Sequence, residues 1–160
     1  MRLLKAFGSR ILVADPYVAL SDEDRRDGVK SATLGELLAE SDVVTLHARV
    51  TDETRGFIGR AAFAAMRPGA YFIDTARGPM VDYAALAAAL KSGRLRGAAL
   101  ETFAVEPTPP DLDLLQFENV TLTPHIAGAS LTTVEIAAEA MAEEIRRHLA
   151  GEPALNPAFC

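Results

Sequence analysis

Five short apolar runs recur along this 160-residue chain, at residues 11–14, Val43–Leu46, 71–73, 98–100 and Val120–Leu122. Each is continuous rather than alternating, which suits strands buried on both faces of a parallel sheet. The segments between them carry helix signals. Thr33 has Glu36 three residues later, the capping-box spacing that opens a helix running to Glu40. Residues 60–66 are apolar at helical spacing and stop at the breaker Arg67-Pro68-Gly69. Asp82 can cap an alanine-rich helix over 83–92, which Gly93 closes. After Ser130, the residues Leu131, Val134, Ala138, Met141, Ile145 and Leu149 share one helical face, and Gly151 ends it. Strands alternating with helices predict an α/β domain with a doubly wound parallel sheet.

Charge and cysteine usage narrow the function classes. A net charge of −6 argues against a nucleic-acid partner, whose phosphates call for a basic face. No apolar run approaches the roughly 20 residues that span a bilayer, so no membrane role is expected. The first eight residues hold too short an apolar stretch for a signal peptide. The only cysteine, Cys160, is the last residue, which leaves no disulfide framework and no thiolate cluster for a metal. These features together predict a cytoplasmic protein.

Ligands of open α/β sheets bind outside the carboxyl ends of the strands. Arg77, Glu106 and His125 each lie just past a different apolar run, so the predicted sheet gathers a cation, a carboxylate and an imidazole on one rim. A guanidinium grips a carboxylate with two parallel hydrogen bonds, as a 2-keto or 2-hydroxy acid requires; the plainer role for Arg77 is a solvated loop. Imidazole exchanges a proton near neutral pH, while the alternative for His125 is a structural role in a tight turn. Glu106 can orient the imidazole and favour its protonated form, or serve as a loop carboxylate before Pro107. Asp15 ends the first run, where an acid of a dinucleotide-binding sheet bonds the adenosine ribose; Asp15-Pro16 is also a turn-forming pair. No arginine follows at once to meet a 2′-phosphate, which favours NAD over NADP. His47 can line a cofactor pocket or be a satisfied strand-end histidine, and His148 suits a helix C-terminus. Three polar groups at three strand ends outweigh the separate structural explanations.

The wording around these residues carries a resemblance. Asp42-Val-Val-Thr-Leu-His47, Thr51-Asp-Glu-Thr-Arg-Gly-Phe-Ile58, Asp74-Thr-Ala-Arg-Gly78 with Val81-Asp82, Gly97-Ala-Ala-Leu100, Val105-Glu-Pro107 and Asn119-Val-Thr-Leu-Thr-Pro-His-Ile-Ala-Gly128 resemble the D-isomer-specific 2-hydroxyacid dehydrogenases over nearly the whole chain. The resemblance implies NAD as cofactor, a small 2-keto or 2-hydroxy acid as substrate, and a homodimer for the full-length protein. It casts Arg77 as the substrate-carboxylate arginine, Glu106 as the partner of the histidine, and His125 as the acid/base. Asp15 resembles the ribose-binding acid. Thr75 and Ala76 resemble backbone contacts to the cofactor, Thr54 a phosphate-side contact, and Gly128 the glycine that lets backbone approach the nicotinamide. Formate dehydrogenases have glutamine where Glu106 stands, which places this chain on the hydroxyacid branch. Corepressors that resemble the family keep the same fold and triad. A non-catalytic NAD(H)-binding module is therefore the rival expectation, with an inactive truncated fragment the other.

Three departures from the family pattern stand out. Glu101 replaces the usual aspartate that bonds the nicotinamide carboxamide, and Ala48-Arg49-Val50 replaces a proline-containing turn by the adenine pocket. The Gly-x-Gly-x-x-Gly loop that cradles a pyrophosphate is not in the sequence. The expectation is a chain that begins inside the first helix, with residues 1–129 a partial dinucleotide-binding domain lacking its first strand. Residues 130–160 would form a helix and tail returning toward a substrate domain. With the central strand missing from the order 3-2-1-4-5-6, the strands at Ile11 and Val43 fall in one half of the sheet. Those at Tyr71, Ala98 and Val120 fall in the other, across a gap.

Overall fold

The computed structural model describes residues 2–110 and 112–157, so Cys160 and the end of the expected tail lie outside the described residues. The chain divides into two compact units with the boundary between Pro124 and His125.

The first unit opens with a short helix α1 (Arg2–Lys5), then alternates β1 (Leu12–Val13), α2 (Asp22–Arg26), β2 (Lys30–Ser31), α3 (Leu34–Glu40), β3 (Val43–Leu46), α4 (Arg60–Ala65), β4 (Ala70–Asp74), α5 (Tyr83–Lys91), β5 (Leu95–Leu100) and β6 (Val120–Leu122). The cap at α3 is reciprocal. Glu36 N–H donates to Thr33 Oγ1 at 3.2 Å, and Thr33 N–H donates to Glu36 Oε2 at 2.8 Å. The Thr33 N–H, and after it the Thr33 hydroxyl at 2.7 Å, donate to the Glu36 carboxyl and hold it below its ordinary value. Asp82 caps α5 by accepting the Ala85 N–H at 3.0 Å.

β3, β4, β5 and β6 form one all-parallel sheet in that order, and β1 and β2 pair in parallel as a separate two-stranded sheet. This corrects the expected division of strands. Val43 pairs with Tyr71 and Leu46 with Asp74, so β3 belongs with β4 rather than with the Ile11 strand. The partner of β1 is instead Lys30–Ser31, whose two exposed polar residues carry no apolar signal. The discontinuity among the described residues therefore falls between the β1–β2 pair and the sheet of β3 to β6.

Burial follows the register. Val44, Phe72 and Ala98 sit side by side, as do Leu46, Asp74 and Leu100, and all six are buried. Leu38 of α3, Phe63 of α4 and Leu86 of α5 join this face in a single core cluster. Phe63 meets Phe72 edge to face, with ring centroids 5.4 Å apart, a preferred aromatic geometry. On the other face Val43 and Tyr71 are exposed, so the burial expected on both faces holds on one.

The second unit contains α6 (Leu131–Leu149), capped by Ser130 Oγ, which accepts the Thr133 N–H at 3.1 Å. The chain then folds back along the helix. The Glu144 carboxylate accepts the backbone N–H groups of Leu155 and Asn156 at 3.2 and 2.8 Å. None of the α6 residues is buried. No helix among the described residues is long and apolar enough to cross a membrane.

Candidate active site

The carboxyl ends of β3 and β4 open into a cleft of ≈ 450 Å³ lined by His47, Ala48, Arg49, Val50, Thr75, Ala76 and Arg77. It lies where a parallel sheet offers unpaired backbone groups to a ligand, and it unites four residues singled out from the sequence: His47, Thr75, Ala76 and Arg77. His47 is placed by hydroxyls on both ring nitrogens, with Nε2 3.0 Å from Thr45 Oγ1 and Nδ1 3.3 Å from Thr75 Oγ1. Thr54, outside the lining, braces its Arg49 segment. Its hydroxyl donates to the Arg49 carbonyl at 2.7 Å and accepts the Thr51 N–H at 2.7 Å.

Arg77 follows β4 and directly precedes the 3-10 turn Gly78–Met80. Its Nη1 donates to the Ala76 carbonyl at 2.6 Å, and it makes no ion pair among the described residues. A guanidinium so placed keeps donors for an incoming carboxylate. Asp74, three residues before Arg77, is a fully buried carboxyl that the sequence shows only as part of a motif. Asp74 Oδ1 accepts the Ala76 N–H at 2.8 Å, which shapes the Thr75–Ala76 backbone, while Oδ2 is buried without a hydrogen-bond partner. Burial pushes this carboxyl above its ordinary value, against the pull of the Ala76 and Arg77 N–H groups and the charges of His47 and Arg77. The signal was available: an acid closing an apolar run, as at Asp15.

Past β5, Glu101 is buried, accepts a short hydrogen bond from the Thr123 hydroxyl, and is tied to β4 by its N–H to the Asp74 carbonyl at 2.9 Å. Thr123 itself extends β6, with its N–H on the Leu100 carbonyl at 3.0 Å. Glu106 lies on the loop between β5 and β6, where its Oε1 accepts the Phe103 N–H at 2.9 Å. Asp15 stands apart, at the end of β1 in the two-stranded sheet, and its Oδ1 accepts the Tyr17 N–H at 2.8 Å in the turn anticipated for Asp15-Pro16. His125 opens the second unit with a left-handed backbone, φ 54°, a conformation uncommon outside glycine. Gly128 is in the same unit, and a Cβ built there would meet nothing within 4 Å.

Among the described residues no three His, Cys, Asp or Glu side chains gather to hold a metal ion. The groups that line the cleft include two guanidiniums, Arg49 and Arg77, beside the His47 imidazole and the Thr75–Ala76 segment, a set able to meet an anionic ligand.

Comparison with known proteins places this geometry among relatives. Residues 1–127 match the family model for the NAD binding domain of D-isomer specific 2-hydroxyacid dehydrogenases. A glyoxylate reductase of Korarchaeum cryptofilum is 43% identical over 94% of this chain and 45% of its own length. A D-3-phosphoglycerate dehydrogenase of Archaeoglobus fulgidus is 39% identical over 95% of this chain and 29% of its own length. This chain therefore spans less than half the length of these curated relatives. Among solved structures, apo D-mandelate dehydrogenase of Rhodotorula graminis superposes with a TM-score of 0.90 at 34% identity, over 99% of this chain and 46% of that one. The D-lactate dehydrogenase of Lactobacillus jensenii, solved with NAD+, gives a TM-score of 0.86 at 29% identity, over 99% of this chain and 51% of that one.

Proposed function

This chain belongs to the D-isomer-specific 2-hydroxyacid dehydrogenase family. From that premise we propose that it carries the NAD(H) site and the proton-transfer residues of an oxidoreductase acting on a small D-2-hydroxy acid or the matching 2-keto acid. The cleft at the ends of β3 and β4 carries this reading, because Arg77 lines it beside the Thr75 and Ala76 backbone. Bound NAD(H) supplies or accepts the hydride. Arg77 binds the substrate carboxylate and draws electron density from the neighbouring carbonyl. In the reduction, His125 donates the proton to the carbonyl oxygen, and in the oxidation it takes it back. Glu106 orients the imidazole and stabilises its charged form.

The remaining residues serve the cofactor. Asp15 meets the ribose hydroxyls through the carboxylate capacity its turn leaves over, and its charge disfavours a 2′-phosphate, so NADH is preferred to NADPH. Thr54 serves the phosphates, His47, Thr75, Ala76 and Gly128 contact the nucleotide, and Glu101 accepts from the nicotinamide carboxamide.

NADH fluorescence titration of the purified chain tests the cofactor site directly, and in a full-length enzyme that carries this segment NADH consumption should follow with glyoxylate or pyruvate. His125→Ala should lower kcat by about 10²- to 10⁴-fold with NADH affinity unchanged. Binding without turnover, or a kcat indifferent to His125→Ala, would overturn the enzymatic reading.

A further inference from the structure

The segment that bears Arg77 and the loop that bears Glu106 are built against one another, and one side chain joins them. Residues 78–82 form a fixed base. The Gly78–Met80 turn is closed by the Val81 N–H on the Gly78 carbonyl at 3.0 Å. It is stitched to the 56–58 segment by Gly56 N–H on the Pro79 carbonyl at 3.0 Å, Ile58 N–H on the Met80 carbonyl at 3.1 Å, and Asp82 N–H on the Ile58 carbonyl at 3.1 Å. Ile58, Met80 and Val81 are buried in the core. Tyr83, the first residue of α5, rises from this base, and its hydroxyl oxygen accepts the Ala104 N–H at 2.9 Å. One residue earlier, the Phe103 N–H donates to Glu106 Oε1.

Packing closes the same joint. A Cβ at Gly78 would fall 2.1 Å from the Phe103 carbonyl carbon, 2.2 Å from the Ala104 nitrogen and 2.4 Å from the Tyr83 hydroxyl. Such distances are impossible, so the residue after Arg77 must be glycine for the loop to seat. The Tyr83 ring is half-buried against the core.

We propose that Tyr83 is a positioning residue, whose hydroxyl pins the 103–106 loop to the Gly78 turn and thereby holds Glu106 in fixed register with Arg77. This rests on the roles proposed above for Arg77 and Glu106. It also explains why a tyrosine starts an otherwise alanine-rich helix: the ring spans the gap and the oxygen satisfies an amide that the loop leaves unpaired. The phenol remains neutral through the working pH range. Burial pushes its pKa up to about 12, with the Ala104 N–H pulling against it and the Asp74 and Glu106 carboxylates adding to it.

Tyr83→Phe keeps the ring and removes only the acceptor. Amide hydrogen exchange read residue by residue in this chain should then be about tenfold faster at both Ala104 and Phe103, while the Glu101 amide on β4 is unchanged. Faster exchange at Ala104 alone would show that Tyr83 does not govern the Glu106 contact and would overturn the proposal, as would no change at either amide. The second readout is the pH profile of kcat. Tyr83→Phe should displace it in the same direction as Glu106→Gln, and the double variant should move it no further than Glu106→Gln alone. A simple additive displacement contradicts positioning through Glu106. If a full-length enzyme that carries this segment shows no turnover, the enzymatic reading fails on its own, and the two amides still decide whether Tyr83 holds the loop.

Discussion

The two sheets of the first unit are built from the same device, an apolar strand ending in a polar residue, yet they hold that residue very differently. At the ends of β3, β4 and β5 the polar groups are stacked on a buried layer and cross-braced. Asp74 shapes the Thr75–Ala76 backbone, Glu101 is bonded to β4 and to Thr123, and His47 is pinned by two hydroxyls. At the end of β1 the carboxylate of Asp15 is exposed and held by one bond within its own turn. Residues 11–14 are only half-buried there, and the partner strand contributes Lys30 and Ser31 to solvent. Preorganisation comes from the layer beneath the strand end, not from the strand end itself.

The largest consequence is a contrast in stability. Phe72, with no exposed surface at the centre of the four-stranded sheet, should cost ~3–5 kcal/mol when cut to alanine. Leu12→Ala in the two-stranded sheet should cost only about 1 kcal/mol, because much of that side chain already touches water. Urea denaturation followed by circular dichroism measures both. Equal costs would break the comparison, since β1 would then be as firmly seated as β4.

How far the sequence could be read follows the same line. Val43–Leu46 and Val120–Leu122 are strands with the boundaries their apolar runs suggested, although β3 buries only Val44 and Leu46 and β6 buries none of its residues fully. The Thr33 and Asp82 caps were legible because capping depends on neighbours in sequence. Lys30–Ser31 was invisible, since a two-residue polar strand is defined by its partner alone, and missing it put Val43 in the wrong half of the sheet. At the site, His47, Thr75, Ala76 and Arg77 share one cleft as adjacent strand ends should. Gly78 is legible as part of a motif, but its joint with Tyr83 is not, because that joint is three-dimensional: it links segments 21 to 26 residues apart in sequence, and no local pattern marks an oxygen facing the Ala104 amide.

Asp74 sharpens the comparison through pH. Its carboxyl is fully buried and burial raises it above its ordinary value, so ionisation opposes folding. The sign is the reverse of an ion-paired aspartate. The stability this group contributes is complete below the unfolded value, about 3.9, and is lost as pH rises through the folded value. Asp74→Asn keeps an Oδ1 acceptor for the Ala76 N–H and removes the buried charge. The Tm difference, variant minus wild type, should therefore grow as pH is raised from about 4 to about 7. A difference that does not change with pH would mean the carboxyl ionises as easily folded as unfolded, and that water reaches the layer under the site.

The smallest effect belongs to the second unit, which carries the contrast to its limit. α6 is amphipathic, yet Leu131 is 84% exposed and Leu149 81% exposed, and Val134, Met141 and Ile145 are exposed on the same face. An apolar residue already in water has no burial to lose. Leu131→Gln keeps good helix propensity and leaves the Ser130 cap in place, so the stability of the chain should stay within about 0.5 kcal/mol of wild type. A loss of several times that would show that this face is covered in solution, by another copy of the chain if the effect grows with protein concentration. Repeating the measurement at two concentrations separates the cases, because burial within one chain gives the same cost at both.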